Sequence, residues 1–264
     1  MIIGNKTFES GTHVMAIINL TPDSFFAKSR TTSKDLLIRC EKAINAGAEV
    51  LDLGAQSTRP GHTPVSADEE IQRFNTSIQD IKKHFPDIPV SIDTYYHEVA
   101  KYALDNGADL INDIWGLQYD NGEMSSVIAK YNAACCIMRN SKTGIYGDLI
   151  QDSINYLKKS LDIAYKANIE RDKIVLDGGI GFNVTIDQSW ELLNNYDKLS
   201  ILGYPLLLGT SRKRMFGGEP EDRLQATLDS TLLACKKNIL FVRVHDVKEN
   251  KEVIDRYYAE HNWD

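Results

Sequence analysis

Short apolar runs rich in β-branched residues recur along the chain, and between them the hydrophobic period changes from that of a strand to that of a helix. The runs are VMAII from Val14, VLDL from Val50, PVSI before Asp93, LINDI from Leu110, AACCIM before Arg139, KIVL before Asp177, PLLLG before Thr210 and LFVRV before His245. They recur at a mean interval of about 32 residues, the size of a strand, loop and helix unit. Between them, Ile71, Phe74, Ile78 and Ile81 are spaced 3, 4, 3, as are Ile154, Leu157, Leu161 and Ala164, while Leu224, Leu228, Leu232 and Cys235 follow 4, 4, 3. Each stripe predicts a helix with one face laid on a sheet. Ser66 with Glu69, and Thr185 with Gln188, have the spacing of capping boxes at helix starts.

Nothing resembles a linker, so eight strands alternating with eight helices predict an α/β chain folded as a single TIM (β/α)8 barrel domain over 1–264. The opening MIIGNKTFESG predicts a short N-terminal hairpin closing the barrel bottom. A doubly wound open sheet is the competing architecture. The strands end on Asn19, Gln56 with Thr58, Asp93, Asn112, Arg139, Asp177, Ser211 with Lys213, and Arg243 with His245. A barrel gathers those ends at one mouth, whereas an open sheet spreads them along an edge, and this favours the barrel.

Composition then removes classes of partner. A net charge of −7 argues against binding the backbone of DNA or RNA. No run approaches the roughly 18 apolar residues of a membrane span, and the opening has no signal-peptide pattern, so a cytoplasmic protein is expected. Cys40, Cys135, Cys136 and Cys235 lack metal-ligand spacing and read as core thiols. There is no GxxxxGK[ST], HExxH or G-x-S-x-G, which leaves P-loop, zincin and α/β-hydrolase chemistry unsupported.

A carboxylate at a strand end, such as Asp93 or Asp177, can accept two parallel hydrogen bonds from an amidine-like ring edge of a pterin or guanine. Asn112, beside Asp113, adds a donor and an acceptor for neighbouring ring nitrogens. Each could equally cap the helix that follows. Arg243 and His245 alternate along the last strand, opposite Val242 and Val244, and a helix beginning near Asp246 adds a positive terminus, a setting for phosphate or diphosphate. In GTSRKRMFG, 209–217, Lys213 can donate to a ring carbonyl or nitrogen and Ser211 can bond a carboxylate, while Arg212 and Arg214 read as surface charges. GGIGF, 178–182, lacks the third glycine of a dinucleotide fingerprint and reads as backbone that lets a flat ligand approach Asp177. NLTPDSF, 19–25, and STRPG, 57–61, read as proline-stiffened lids over the mouth.

In order, NLTPDSF, STRPG, SIDT, INDIWG, DGGIGF, GTSRK and RVHDV resemble the dihydropteroate synthase family, from about Val14 to Val247. The resemblance implies a TIM barrel, usually a homodimer, that is a transferase of folate biosynthesis and a sulfonamide target. It would join 7,8-dihydropterin-6-ylmethyl diphosphate to p-aminobenzoate by alkyl transfer, with diphosphate leaving. Carried over by position, Asp93, Asn112, Asp177 and Lys213 would bind the pterin, with Ile114, Met138 and Phe182 against its faces. Asn19, Arg243 and His245 would hold the diphosphate with Mg2+, Asn19 being the metal ligand. Thr58, Arg59, Pro60 and Ser211 would shape the p-aminobenzoate site. Catalysis would rest on Lys213, Arg243, His245 and Asp93. The chain departs from the family pattern at Phe26-Ala27-Lys28-Ser29-Arg30, at Gln56, at Gly178, Asn183 and Val184, and at Arg139, where Lys28, Arg30 and Arg139 are expected to add positive charge near the mouth. The alternatives are a divergent pterin-binding paralogue with weak or no synthase activity and a pterin-dependent methyltransferase-type barrel.

Overall fold

In a computed structural model of the protein, residues 1–20, 29–56, 65–141, 143–144 and 147–261 are described, with side chains from 34 onward in the second of these stretches. The eight strands are β3 (His13–Asn19), β4 (Val50–Gly54), β5 (Val90–Asp93), β6 (Leu110–Asp113), β7 (Ala134–Met138), β8 (Ile174–Asp177), β9 (Leu206–Leu208) and β10 (Phe241–Val244). They pair in parallel and in sequence order, and β10 closes on β3 with Val242 opposite Val14 and Arg243 opposite Met15. The expected barrel is therefore present and the open sheet is excluded.

Period-two alternation divides every strand. Val14, Ala16 and Ile18 face outward into the layer shared with the helices, as do Ile111, Leu176 and Val242. Met15, Val50, Leu110, Cys136, Val175 and Leu207 face inward and fill the lower barrel. The hairpin β1 (Ile2–Ile3) and β2 (Lys6–Thr7) lies beneath them, with Ile3 and Phe8 buried in the same cluster and Phe8 edge-on to Phe241 at 4.9 Å. This is the expected plug of the barrel bottom.

The helices follow the stripes with two differences. The stripe from Ile71 to Ile81 is broken into α2 (Ala67–Phe74) and α3 (Ser77–His84), because Asn75 enters the left-handed region at φ 42° and its N–H closes the first helix on the Ile71 carbonyl at 3.1 Å. Nine α-helices thus stand among the described residues: α1 (Ser29–Asn45), these two, α4 (His97–Asp105), α5 (Glu123–Lys130), α6 (Leu149–Lys166), α7 (Ile186–Asn194), α8 (Leu224–Lys236) and α9 (Val247–Glu260). On α8 the leucines 224, 228 and 232 are only half-buried. The buried face is Thr227, Ser230, Thr231, Ala234 and, from the predicted stripe, Cys235, small enough for close approach, and Thr231 donates to Asn250 of α9 at 2.6 Å. The other sequence signals hold in most positions, with Leu161 half-buried and the Ser66 box reduced to its one-way cap. Ile154, Leu157 and Ala164 are buried on α6, Thr185 and Gln188 form a reciprocal capping box on α7, and Ser66 caps α2 by accepting from the Glu69 N–H.

Candidate active site

Above the apolar filling, the same inward positions turn polar. Asp52, two residues along β4 from Val50, is fully buried. It accepts from Ser91 Oγ at 2.5 Å, from Arg243 Nε at 2.6 Å and from Asn112 Nδ2 at 3.4 Å. Arg243 also donates from Nη2 to Asp93 Oδ2 at 2.7 Å, so one guanidinium joins three strands. Asp93 Oδ1 is buried with no hydrogen-bond partner among the described residues. Burial pushes the Asp93 carboxyl up to about 7, against the pull of Arg243 and with help from Asp52, Asp113 and Asp177.

Asp177 ends β8 under tight constraint. Its Oδ1 accepts from the Gly179 N–H at 2.7 Å and lies 3.1 Å from the buried Tyr196 hydroxyl, which also accepts from the Gly178 N–H at 2.7 Å. Burial raises the Asp177 carboxyl, opposed by Lys213. Lys213 donates to the Ile180 carbonyl, and its Nζ stands 4.5 Å from the centre of the Phe182 ring. Desolvation lowers this ammonium to about 8, with Arg243 and Arg139 adding to the effect and Asp177 opposing it. Ile114 and Met138 are buried together with Tyr95, and Phe182 and Trp115 pack on them, an apolar wall at the strand ends.

On the other side of the mouth, Ser211 Oγ lies 2.9 Å from His245 Nδ1 and accepts from the His245 backbone N–H at 3.1 Å. Ser211 therefore stands in the His245 group. Arg212 is no loose surface charge: its fork binds Asp246 at 2.8 and 2.7 Å and ties the Lys213 loop to the start of α9. Asn19 is exposed at the end of β3. Thr58, Arg59 and Pro60 lie outside the described residues, as do Lys28, the side chain of Arg30 and most of the two expected lids.

A model of the family described as pterin binding enzymes matches residues 15–245. The chain belongs to the pterin-binding enzyme family. A dihydropteroate synthase of Clostridium beijerinckii is 45% identical over 258 residues, 95% of each chain. A crystal structure of the Clostridium difficile dihydropteroate synthase in the presence of pteroic acid is 39% identical and superposes with a TM-score of 0.92 over 97% of this chain and 100% of that one. A Xanthomonas albilineans dihydropteroate synthase in complex with 7,8-dihydropteroate is 27% identical, with a TM-score of 0.85 over 96% and 94%.

In this pterin-binding enzyme the strand ends chosen from sequence converge, with corrections around them. Asp113 points out of the barrel, where its carboxylate accepts from the Trp115 and Leu117 N–H groups at 2.8 and 2.7 Å, so Asn112 alone faces the site. Arg139 is fully buried and adds no exposed charge at the mouth. Two glycines of GGIGF also serve packing: a Cβ on Gly178 would meet the Tyr196 ring at 2.7 Å, and one on Gly179 would meet the Arg139 carbonyl at 1.9 Å. Asp52 and Tyr196 escape the sequence reading. Asp52 had a signal, since it shares parity with Val50 inside VLDL, whereas nothing local marks Tyr196.

Proposed function

We propose that the chain is a dihydropteroate synthase, joining 7,8-dihydropterin-6-ylmethyl diphosphate to p-aminobenzoate and releasing diphosphate. The observation that carries this reading is the convergence of Asp93, Asn112, Asp177 and Lys213 opposite the Ile114, Met138 and Phe182 wall, with Arg243 and His245 at the same mouth. Identity of 45% to a dihydropteroate synthase over nearly the whole length favours it over the methyltransferase-type barrel.

In this reading Asp177 accepts from the amidine-like pterin edge through Oδ2, because Oδ1 is already engaged by the Gly179 N–H and the Tyr196 hydroxyl. Asp93 Oδ1, buried and without a hydrogen-bond partner among the described residues, and Asn112 address the ring nitrogens. Lys213 donates to the ring while Phe182 and Met138 cover its faces. Arg243 presents its remaining Nη1 edge to the diphosphate together with His245 and Asn19. As the bond from the methylene carbon to oxygen breaks, its electron pair leaves on diphosphate. The amine of p-aminobenzoate then attacks the cation-like methylene and loses a proton. The residues contribute position and charge, with no covalent nucleophile.

Asn19 offers one neutral, exposed oxygen at a strand end, which suits Mg2+ arriving with the diphosphate, since that ion keeps most of its shell as water and phosphate oxygen. When bound, the ion would neutralise charge on the leaving group. Thr58, Arg59 and Pro60 complete the p-aminobenzoate side with Ser211. One domain, a homodimer and a cytoplasmic location belong to the same proposal. No helix among the described residues is long and apolar enough to cross a membrane. The test is direct: purified protein with the pterin diphosphate, Mg2+ and labelled p-aminobenzoate yields labelled dihydropteroate. Tight pterin diphosphate binding without product would leave the non-condensing paralogue instead.

A further inference from the structure

We propose that Arg139 is a positioning residue for the pterin wall: its buried guanidinium sets the course of the 178–182 loop and thereby the placement of Phe182 and of the carbonyl that anchors Lys213. This rests on the pterin reading above and adds a residue outside the binding set.

Arg139 follows β7 directly, is 0% exposed, and heads the fully buried side chains by size. Its Nε donates to the Gly178 carbonyl at 3.0 Å, Nη2 to Gly179 at 2.8 Å and Nη1 to Phe182 at 3.1 Å. Its backbone N–H donates to the Asp177 carbonyl at 2.8 Å. One residue thus binds four carbonyls between positions 177 and 182, and Lys213 takes a fifth, that of Ile180. The loop cannot hold itself as regular structure, because Gly179 and Gly181 sit at φ 66° and 77°. A planar fork with donors in fixed directions suits such a loop, whereas a lysine supplies one mobile point charge and a glutamine two donors on a shorter arm. With these carbonyls held on Arg139, the same loop places the Phe182 ring 4.5 Å from Lys213 Nζ. The four carbonyls all belong to the loop that carries Phe182, so the effect is expected on the pterin first.

The test uses Arg139→Gln and Arg139→Lys in the full chain. Calorimetry measures a pterin alcohol that lacks the diphosphate, and steady-state assays give KM for p-aminobenzoate at saturating pterin diphosphate. The expected result is pterin binding weakened about tenfold or more in Arg139→Gln and by less in Arg139→Lys, with KM for p-aminobenzoate within about twofold of wild type. In a double-mutant cycle with Phe182→Ala, the Arg139→Lys and Phe182→Ala losses should be less than additive, since both act on one wall. A purely structural role would lower the unfolding temperature and the active fraction yet leave the affinity of the folded fraction unchanged, and that overturns the proposal. So does an equal loss for both substrates. If Arg139→Gln does not fold, Arg139→Lys decides, and pterin affinity equal to wild type overturns it. A wild-type protein that binds no pterin defeats the functional reading itself, while a binding wild type with unaffected variants defeats only the role of Arg139.

Discussion

The lower and upper halves of the barrel interior come from the same eight strands and the same alternation, yet they are chemically opposite. Below lie Met15, Val50, Leu110, Cys136, Val175 and Leu207, a dry filling sealed by Ile3 and Phe8. Above, one step further along the strands, lie Asp52, Asp93, Asn112, Asp177 and Arg243. The lower half gains stability from apolar burial, while the upper half holds carboxylates out of water with few cations to match them. That contrast teaches where the fold is stabilised and where it is strained for use.

Perturbing each half should therefore fail differently. The largest effect is expected for Asp177→Asn, which places an amide donor against the ring donors that Oδ2 accepts and should weaken pterin binding by about 3 to 5 kcal/mol, roughly a hundredfold or more in Kd by calorimetry. Binding within threefold of wild type would remove Asp177 from the pterin site. Leu207→Ala in the lower half should lower unfolding free energy by about 2 to 4 kcal/mol in denaturant titrations while leaving KM for the pterin diphosphate unchanged. A shifted KM would mean the halves are coupled.

The next effect is on pH dependence. Glu70 of α2 is buried, receives the Gln56 amide at 3.1 Å, and is pushed by burial up to about 8 from 4.5. Because the folded state holds this proton more tightly, its contribution is fully present below the unfolded value and is lost as pH rises through about 8. Asp93 and Asp113, raised to about 7 and about 6, act with the same sign. Unliganded protein should lose stability between pH 5 and 8, and Glu70→Gln should remove a share on the order of 2 kcal/mol, read by denaturant titration across that range. An unchanged slope would show that Glu70 is ionised in the folded state. Smallest is Ser91→Ala at the boundary, where losing the 2.5 Å bond to Asp52 should cost about 1 kcal/mol of stability and change pterin KM by less than about twofold.

The two halves also differ in how far the sequence exposes them. Val14, Val50, Leu110 and Val175 announce their strands because apolar runs carry the period, and the strand-end residues Asp93, Asn112, Asp177, Arg243 and His245 stand where those runs stop. Asp52 was hidden inside such a run, where VLDL reads as apolar although its even positions face inward. Arg139 and Arg212 look like mouth and surface charges because the carbonyls that the Arg139 side chain binds lie 39 to 43 residues away and the carboxylate that pairs Arg212 lies 34 away, beyond any local pattern. The break at Asn75 is invisible to the helical stripe, since Phe74 and Ile78 stay buried on both sides of it.

The hairpin beneath the barrel turns a tube into a vessel with one opening. With Phe8 lodged against Phe241 and apolar side chains packed above it, the floor is filled among the described residues, and the rim is left for arrivals and departures. In the proposed reaction, a pterin seated against the strand ends would then enter before the amine and depart after it, and the sequence of loading and unloading would be a queue written in depth.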